Sequence, residues 1–439
     1  MARGRLDSVR HLLLLAYYFP PDGGAGAQRP AKFAKYLSNF GWKTTVVTRN
    51  EREVRGRYEP RDISLANELS DCNSIRIVRV PCESIGGIRD TGWISSVTDT
   101  CSKLNYEVGF DAIVATMSPF WMAEICVELK RRTGIPTVFD LRDPWVFDGW
   151  QRSRTYFHWI VEYRRMASAL RLADGVVANT KESRKTFLGE IEHLESKSVT
   201  VIENGYDPED FSDIENANEV NRDPDSYTLV FTGTLCTSLL KYDDGVKGKL
   251  KRLFSHSYEH IDYSGRTLIP LLAAVNLLRQ RRKDAGLRFK LRCVGEYTDA
   301  DVESVENAGL LDCVTFLGYQ SHEQSISELM SADALFLPLH GLSSGRSLIV
   351  PGKTYEYLAT NKPILACLPQ GDARDLVMRS DKCFVSDPCD HEKIARALED
   401  LYQFVTDQSI IASSIPAWLS EYSRYELTRK LSEFLDKSL

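Results

Sequence analysis

The strongest constraint on this chain is a rhythm. Short apolar or β-branched runs alternate with longer stretches whose apolar residues recur every three to four positions. HLLLLAYYF (11–19) is a continuous apolar run closed by Pro20-Pro21, as a strand buried on both faces would be. After Gln28, the residues Ala31, Phe33, Ala34 and Leu37 fall close to one helical stripe. Gly41 ends that helix and KTTVVTRN (43–50) reads as the next strand. The unit recurs as strand FDAIVATMS (110–118) and helix FWMAEICVELKRRTG (120–134), followed by strands within IPTVFDLRD (135–143), RLADGVVANT (171–180) and SVTVIENG (198–205). Strands alternating with helices imply an α/β fold with a parallel sheet covered on both faces.

A chain of 439 residues is too long for one core, so two domains are expected. The rhythm breaks at DPEDFSDIENANEVNRDPDS (207–226), which is acidic and poor in large apolar residues. Residues 1–210 therefore form a first domain, 211–226 a linker, 227–406 a second domain and 407–439 a helical tail. The second series runs YTLVFTGT, LIPLLAAVNLLRQRRK, FKLRCVGE, VTFLGY, ISELMSAD, ALFLPL, a helix at 353–360 and PILACL. Residues 236–265 interrupt it between a strand and its helix, basic and loop-like, either a surface excursion or a lid over a site.

Composition removes several classes. A net charge of −6 argues against general nucleic-acid binding. The ten cysteines form no CxxC pair and no zinc spacing, so free thiols in a reducing, cytoplasmic setting and no metal are expected. No apolar stretch reaches the length of a membrane span. MARGRLDSVR, LLLLAYYF and Ala25-Gly26-Ala27 have the outline of a signal peptide with its cleavage site, yet the text runs smoothly into the amphipathic pattern and reads as an uncut strand and helix. LLKYDDGVKGKLKRLF offers cations and leucines to an anionic lipid surface; the alternative is a solvated loop.

In paired parallel sheets ligands bind outside the strand carboxyl ends, so the residues just after strands are the candidates. PDGGAGAQR (21–29) carries Gly23, Gly24 and Gly26, which let backbone approach a ligand, and Arg29, which can clamp an anion. It is neither a clean GxGxxG nor a Walker A loop, and an ordinary strand-to-helix turn is the other reading. Asp140, Arg142 and Asp143 end another strand, as ligand-facing groups or as an internal Arg–Asp pair, and Asn204-Gly205 forms a turn. In PGKTYEY (351–357) Lys353 sits near a helix N-terminus, the wrong sign for the dipole unless an anionic ligand is present. Glu356 in the next turn suits a ribose diol, and an i,i+3 Lys–Glu surface pair is the alternative.

Taken in order, YYFPPDGGAGAQRPAKFAKYL, VFDLRDPW, DGVVANTKESRKTF, VIENGYDPEDF, LVFTGTL, VTFLGYQSHEQSISELMSADALFLPL and PGKTYEYLATNKPILA resemble a GT-B-fold glycosyltransferase of retaining family 4 over nearly the whole chain. The resemblance implies two Rossmann-like domains facing a central cleft, with a nucleotide-diphosphate sugar on the C-terminal domain and a glycan or lipid-linked acceptor on the N-terminal one. It also implies retention, no metal or other cofactor, a role in cell-surface glycan synthesis, a tail crossing back to the first domain, and a cytoplasmic location extending to the inner face of the membrane. Carried over residue by residue, it puts Gly23, Gly24 and Gly26 near donor phosphate and acceptor, Glu356 on the ribose, and Gly318 and Tyr319 by the base. Arg266 and Lys353 become the phosphate cations, with Lys241 competing for the first role, and Arg142 and Asp143 fall where an active-site histidine is common. Arg29, Asn204, Gly233, Gly352 and Tyr355 complete the candidate donor set. One departure stands out: the resemblance implies an acid at 348, where this chain has Leu348. A sugar-nucleotide epimerase and a non-catalytic nucleotide-sugar binder of the same fold are the competing functions.

Overall fold

A computed structural model describes residues 9–51, 61–70, 72–84, 87–212, 226–243, 254–342, 345–407 and 414–438, the side chains of 25 and 241–243 excepted. The chain divides into two compact units. The first holds residues 1–145, 161–205 and 421–439, and the second residues 146–160 and 206–420.

The first unit is built on seven parallel strands: β1 (Arg10–Leu15), β2 (Trp42–Arg49), β3 (Ile75–Val80), β4 (Ala112–Thr116), β5 (Thr137–Leu141), β6 (Gly175–Ala178) and β7 (Val199–Val201). They lie in the order β3-β2-β1-β4-β5-β6-β7. β4 and β5 are buried along their whole length, which is why the sequence shows no polar alternation there. The helix Ala25–Leu37 starts at Gly24, whose φ of 77° only glycine adopts without strain, and its polypeptide leaves through a left-handed Gly41. The tail helix Arg424–Ser438 joins this unit. Its Leu427, Leu431, Phe434 and Leu435 share a core with Leu12, Leu14, Val114 and Val177, and Ser432 Oγ accepts from Trp42 Nε1 at 3.1 Å.

The tail is seated through Gly205. At its φ of 66°, a β-carbon would lie 2.4 Å from the Tyr422 carbonyl and 2.5 Å from Leu427 Cδ1. Gly205→Ala is therefore expected to destabilise the protein by about 2–4 kcal/mol, left-handed strain plus overpacking. Gly109→Ala isolates the strain: φ is 72° there and nothing lies within 4 Å of the added carbon. Urea midpoints of the two variants make the comparison, and equal losses would refute the packing account.

The second unit carries six parallel strands, β8 (Tyr227–Thr232), β10 (Phe289–Val294), β11 (Val314–Gly318), β12 (Ala334–Pro338), β14 (Ile364–Cys367) and β15 (Cys383–Ser386), ordered β11-β10-β8-β12-β14-β15. Leu229, Phe231, Leu291 and Phe336 of the sheet pack with Leu271, Leu278, Leu398 and Leu401 of covering helices. Most of the linker and residues 244–253 of the insertion lie outside the described residues. The rest of the insertion is more ordered than its loop-like text suggests. It contains a helix at Thr237–Asp243, a strand β9 (Ile261–Asp262) pairing antiparallel with β13 (Gly341–Leu342), and a 3-10 turn at Tyr263–Arg266.

Residues 146–160 group with this unit because they pair with the insertion. Ser153 and His256 exchange backbone hydrogen bonds at 2.9 and 3.0 Å. Phe147 meets Tyr258 edge-on, and Trp150 meets Tyr263. No local signature in the sequence marks this segment.

Candidate donor and acceptor sites

In the first unit the candidate residues collect on the loops after β1, β5 and β7. Gly23 is buried in the turn and Gly24 is exposed at the helix start. A β-carbon on Gly26 would lie 3.3 Å from Arg142 Nη1 and 3.6 Å from the Tyr18 ring, so the Arg142 guanidinium rests close against the first helical turn and would have to shift for a larger residue. Arg142 Nη2 is 3.3 Å from Asp143 Oδ2, and its carbonyl accepts from Asn179 at 3.0 Å. Gly26, Arg142 and Asp143 are thus brought together.

Arg29 turns elsewhere. Its Nε and Nη2 donate to Asp140 at 2.7 to 3.1 Å, Nη2 also donates to the Ile202 carbonyl at 2.9 Å, and Nη1 donates to the Glu203 carbonyl. Every guanidinium nitrogen has a protein partner, and both side chains of the ion pair are almost wholly buried. Asn204 follows Glu203 on the β7 loop. Glu203 gave no signal in the sequence. Its Oε2 is enclosed without a partner among the described residues, and burial raises its carboxyl above the usual range, against the pull of Lys430 and Arg29.

In the second unit three glycines abut at strand carboxyl ends. Gly233 N donates to Val294 O, and Gly295 N donates to Gly318 O, each at 2.8 Å. Gly295, at φ 130°, could carry no side chain, since its β-carbon would lie 2.3 Å from the Gly233 carbonyl. Gly318 is left-handed at φ 73°, and the following Tyr319 is 42% exposed.

Lys353 opens the helix Lys353–Ala359 after Gly352 and runs inward. Its Nζ donates to the Thr232 carbonyl at 2.7 Å, lies 3.9 Å from the centre of the Phe231 ring, and would be 3.5 Å from a β-carbon on Gly233. Tyr355 and Tyr357 of the same helix are buried, Tyr357 accepting from Thr232 N at 2.8 Å, while Glu356 is half-buried.

The Arg266 guanidinium sits 5.1 Å from the Trp150 ring centre and forms no ion pair among the described residues. Buried His340 completes the cluster, its ring 5.7 Å from that of Trp150 and its Nδ1 without a partner among the described residues. Desolvation, then the Arg266 charge, pushes His340 down to about 3, so it is a neutral imidazole at pH 7. The same two causes hold the Lys353 ammonium well below the ordinary lysine range. Leu348 is buried, and the Lys241 side chain lies outside the described residues. Neither Trp150 nor His340 was singled out from sequence; that His340 directly follows the strand text ALFLPL was the available signal.

Arg266 and Lys353 therefore share one region, with Lys353 against the bare backbone of Gly233, and among the described residues no carboxylate forms a salt bridge with either.

Two family models match: Glycosyltransferase Family 4 over residues 28–210 and Glycosyl transferases group 1 over residues 266–403. No curated protein matches the chain. Among solved structures, Anabaena HepE in complex with UDP and glucose is 16% identical over 97% of this chain and 99% of its own, with a TM-score of 0.65. Sucrose-phosphate synthase of Thermosynechococcus elongatus is 13% identical over 98% of both chains, TM-score 0.69. An E. coli trehalose-6-phosphate protein bound with UDP-2-fluoro glucose is 12% identical over 97% of this chain and 99% of its own, TM-score 0.64. These likenesses concern the fold, and the family models, one on each half, cover most of the sequence. The chain belongs to the group 1, family 4-like glycosyltransferases of the GT-B fold.

Proposed function

We propose that the chain transfers a sugar from a nucleotide-diphosphate sugar, held by its second unit, to a glycan or lipid-linked acceptor met by its first. Transfer proceeds with retention and without a metal ion. The observation that carries this reading is the pair Arg266 and Lys353, the second beside Gly233, with no carboxylate salt-bridged to either among the described residues. When the sugar–phosphate bond breaks, negative charge grows on the departing diphosphate, and preorganised cations stabilise that charge most where water is scarce. The bare backbone at Gly233 and Gly295, whose own N–H groups bond Val294 and Gly318, lets the diphosphate approach closely.

In this reading Glu356 accepts from the ribose hydroxyls, Gly318 and Tyr319 meet the base, and Gly352 and Tyr355 shape the turn behind Lys353. Lys241 remains a second candidate for a phosphate contact. Gly23, Gly24 and Gly26 with Arg142 and Asp143 form the acceptor side. Two of the solved neighbours were captured with UDP or a UDP-sugar analogue, which supports a donor of this chemical class. No helix among the described residues is long and apolar enough to cross a membrane, so a lipid-linked acceptor would be met at the bilayer surface.

Thermal melting with UDP-, GDP-, ADP- and dTDP-sugars tests the donor. One nucleotide is expected to raise the melting temperature, because a ligand at 100 times its Kd adds about 2.7 kcal/mol. Excess EDTA should leave both the shift and the transfer rate unchanged, and the product anomer should match the donor's by NMR. No shift with any donor, loss of transfer in EDTA, or an inverted product would each overturn the corresponding part of the proposal.

A further inference from the structure

The insertion does more than cross the surface: past residue 253 it is fastened at successive points within the second unit. His256 pairs with Ser153, Tyr258 packs on Phe147, Ile261 and Asp262 pair with Gly341 and Leu342, and Tyr263 packs on Trp150. The approach is close enough that a β-carbon on Gly149 would fall 2.6 Å from Ile261 Cγ1 and 3.2 Å from the Glu259 carbonyl. Glu259 therefore stands on a fixed segment.

Its carboxylate makes no hydrogen bond or ion pair among the described residues; the one bond at this residue is Ser257 Oγ to its backbone carbonyl at 2.9 Å. The Oε1 atom lies by Gly345, 4.0 Å from where a β-carbon on that residue would be, so no side chain of residue 345 stands against it. Desolvation alone raises the carboxyl to about 7. A half-buried acceptor with no donor among the described residues is open to donors from a ligand. Seven positions further along the same segment is Arg266.

We infer that Glu259 accepts hydrogen bonds from the hydroxyl groups of the transferred sugar and is a specificity-determining residue supplied by the insertion. This rests on the nucleotide-sugar reading of the site. A nucleotide-diphosphate sugar carries two chemistries a short distance apart: a dianion, matched by Arg266 and Lys353, and a ring of hydroxyl groups, matched by a carboxyl group that accepts hydrogen bonds in either protonation state.

The test uses the full chain, with Glu259→Ala and Glu259→Gln. Calorimetry compares the free diphosphate and the hexose form of whichever nucleotide of the UDP, GDP, ADP and dTDP series binds the wild type. Glu259→Ala is expected to weaken the nucleotide hexose at least tenfold, to the level of the free diphosphate, while the diphosphate Kd stays within twofold. Glu259→Gln, which both donates and accepts, is expected to change the ranking of the glucose, galactose and mannose forms. Neither variant should melt below wild type, since no partner is lost. Equal weakening of both ligands, or an unchanged hexose Kd and ranking, would overturn the inference. If neither ligand binds the wild type, the nucleotide-sugar reading falls and this inference with it.

Discussion

Lys353→Met lowers kcat/KM for sugar transfer by about 10²–10³-fold and leaves the melting temperature unchanged or higher. The substitution keeps an unbranched stem over the Phe231 ring and removes only the ammonium. In the free protein that ammonium is poorly placed. Burial and the neighbouring Arg266 both disfavour its charge, and among the described residues it donates to the Thr232 carbonyl. A cation held against its own interest is unlike a structural ion pair, whose partner would be visible. Glu356 favours the charge but does not offset burial and Arg266, and a departing diphosphate would add counter-charge most strongly in the transition state. Arg266→Met is expected to act in the same direction, and the double variant to lose less than the sum of the two, because both cations meet one diphosphate. Full activity in Lys353→Met with an intact fold would remove the diphosphate role from this residue.

The fold was legible in the sequence wherever one physical cause dominated. Strands buried on both faces leave apolar runs such as AIVAT and ALFLP, and both halves are rich in them. Glycines at strand ends were also legible, since Gly233 and Gly318 adopt backbone angles that other residues resist. What depends on distant partners left no local trace. Nothing near Trp150 announces that residues 146–160 pair with an insertion about a hundred positions later, or that the indole lies beside Arg266. Arg266 could be found because the helical pattern resumes just after it, whereas Glu259, inside the insertion, lacked any such frame. Lys353 shows the limit most clearly. Its spacing to Glu356 fits a surface pair as well as a ligand site, and only the inward path to Thr232 separates the two.

Asp140→Ala destabilises the first unit by about 3–5 kcal/mol, because it strands the Arg29 guanidinium where water does not reach. Both side chains are enclosed, at 5% and 1% relative exposure. Arg29 also ties the loop after β7 to the helix Ala25–Leu37 through the Ile202 and Glu203 carbonyls, and it lies 4.8 Å from the Phe33 ring centre. Arg29→Met with Asp140 intact leaves the opposite orphan, a buried carboxylate without its cation, and is expected to lose stability as well. The double variant should recover a large part of the summed losses, though not all, since two carbonyls stay unmatched. Urea midpoints at unchanged m-value give the three differences. The same series separates the two roles open to Arg29 in the sequence. A phosphate clamp predicts lost donor affinity with little change in stability; the internal pair predicts lost stability, and donor binding that survives at temperatures where the variant is still folded. A stable Asp140→Ala protein would refute the internal-pair account and return Arg29 to the donor site.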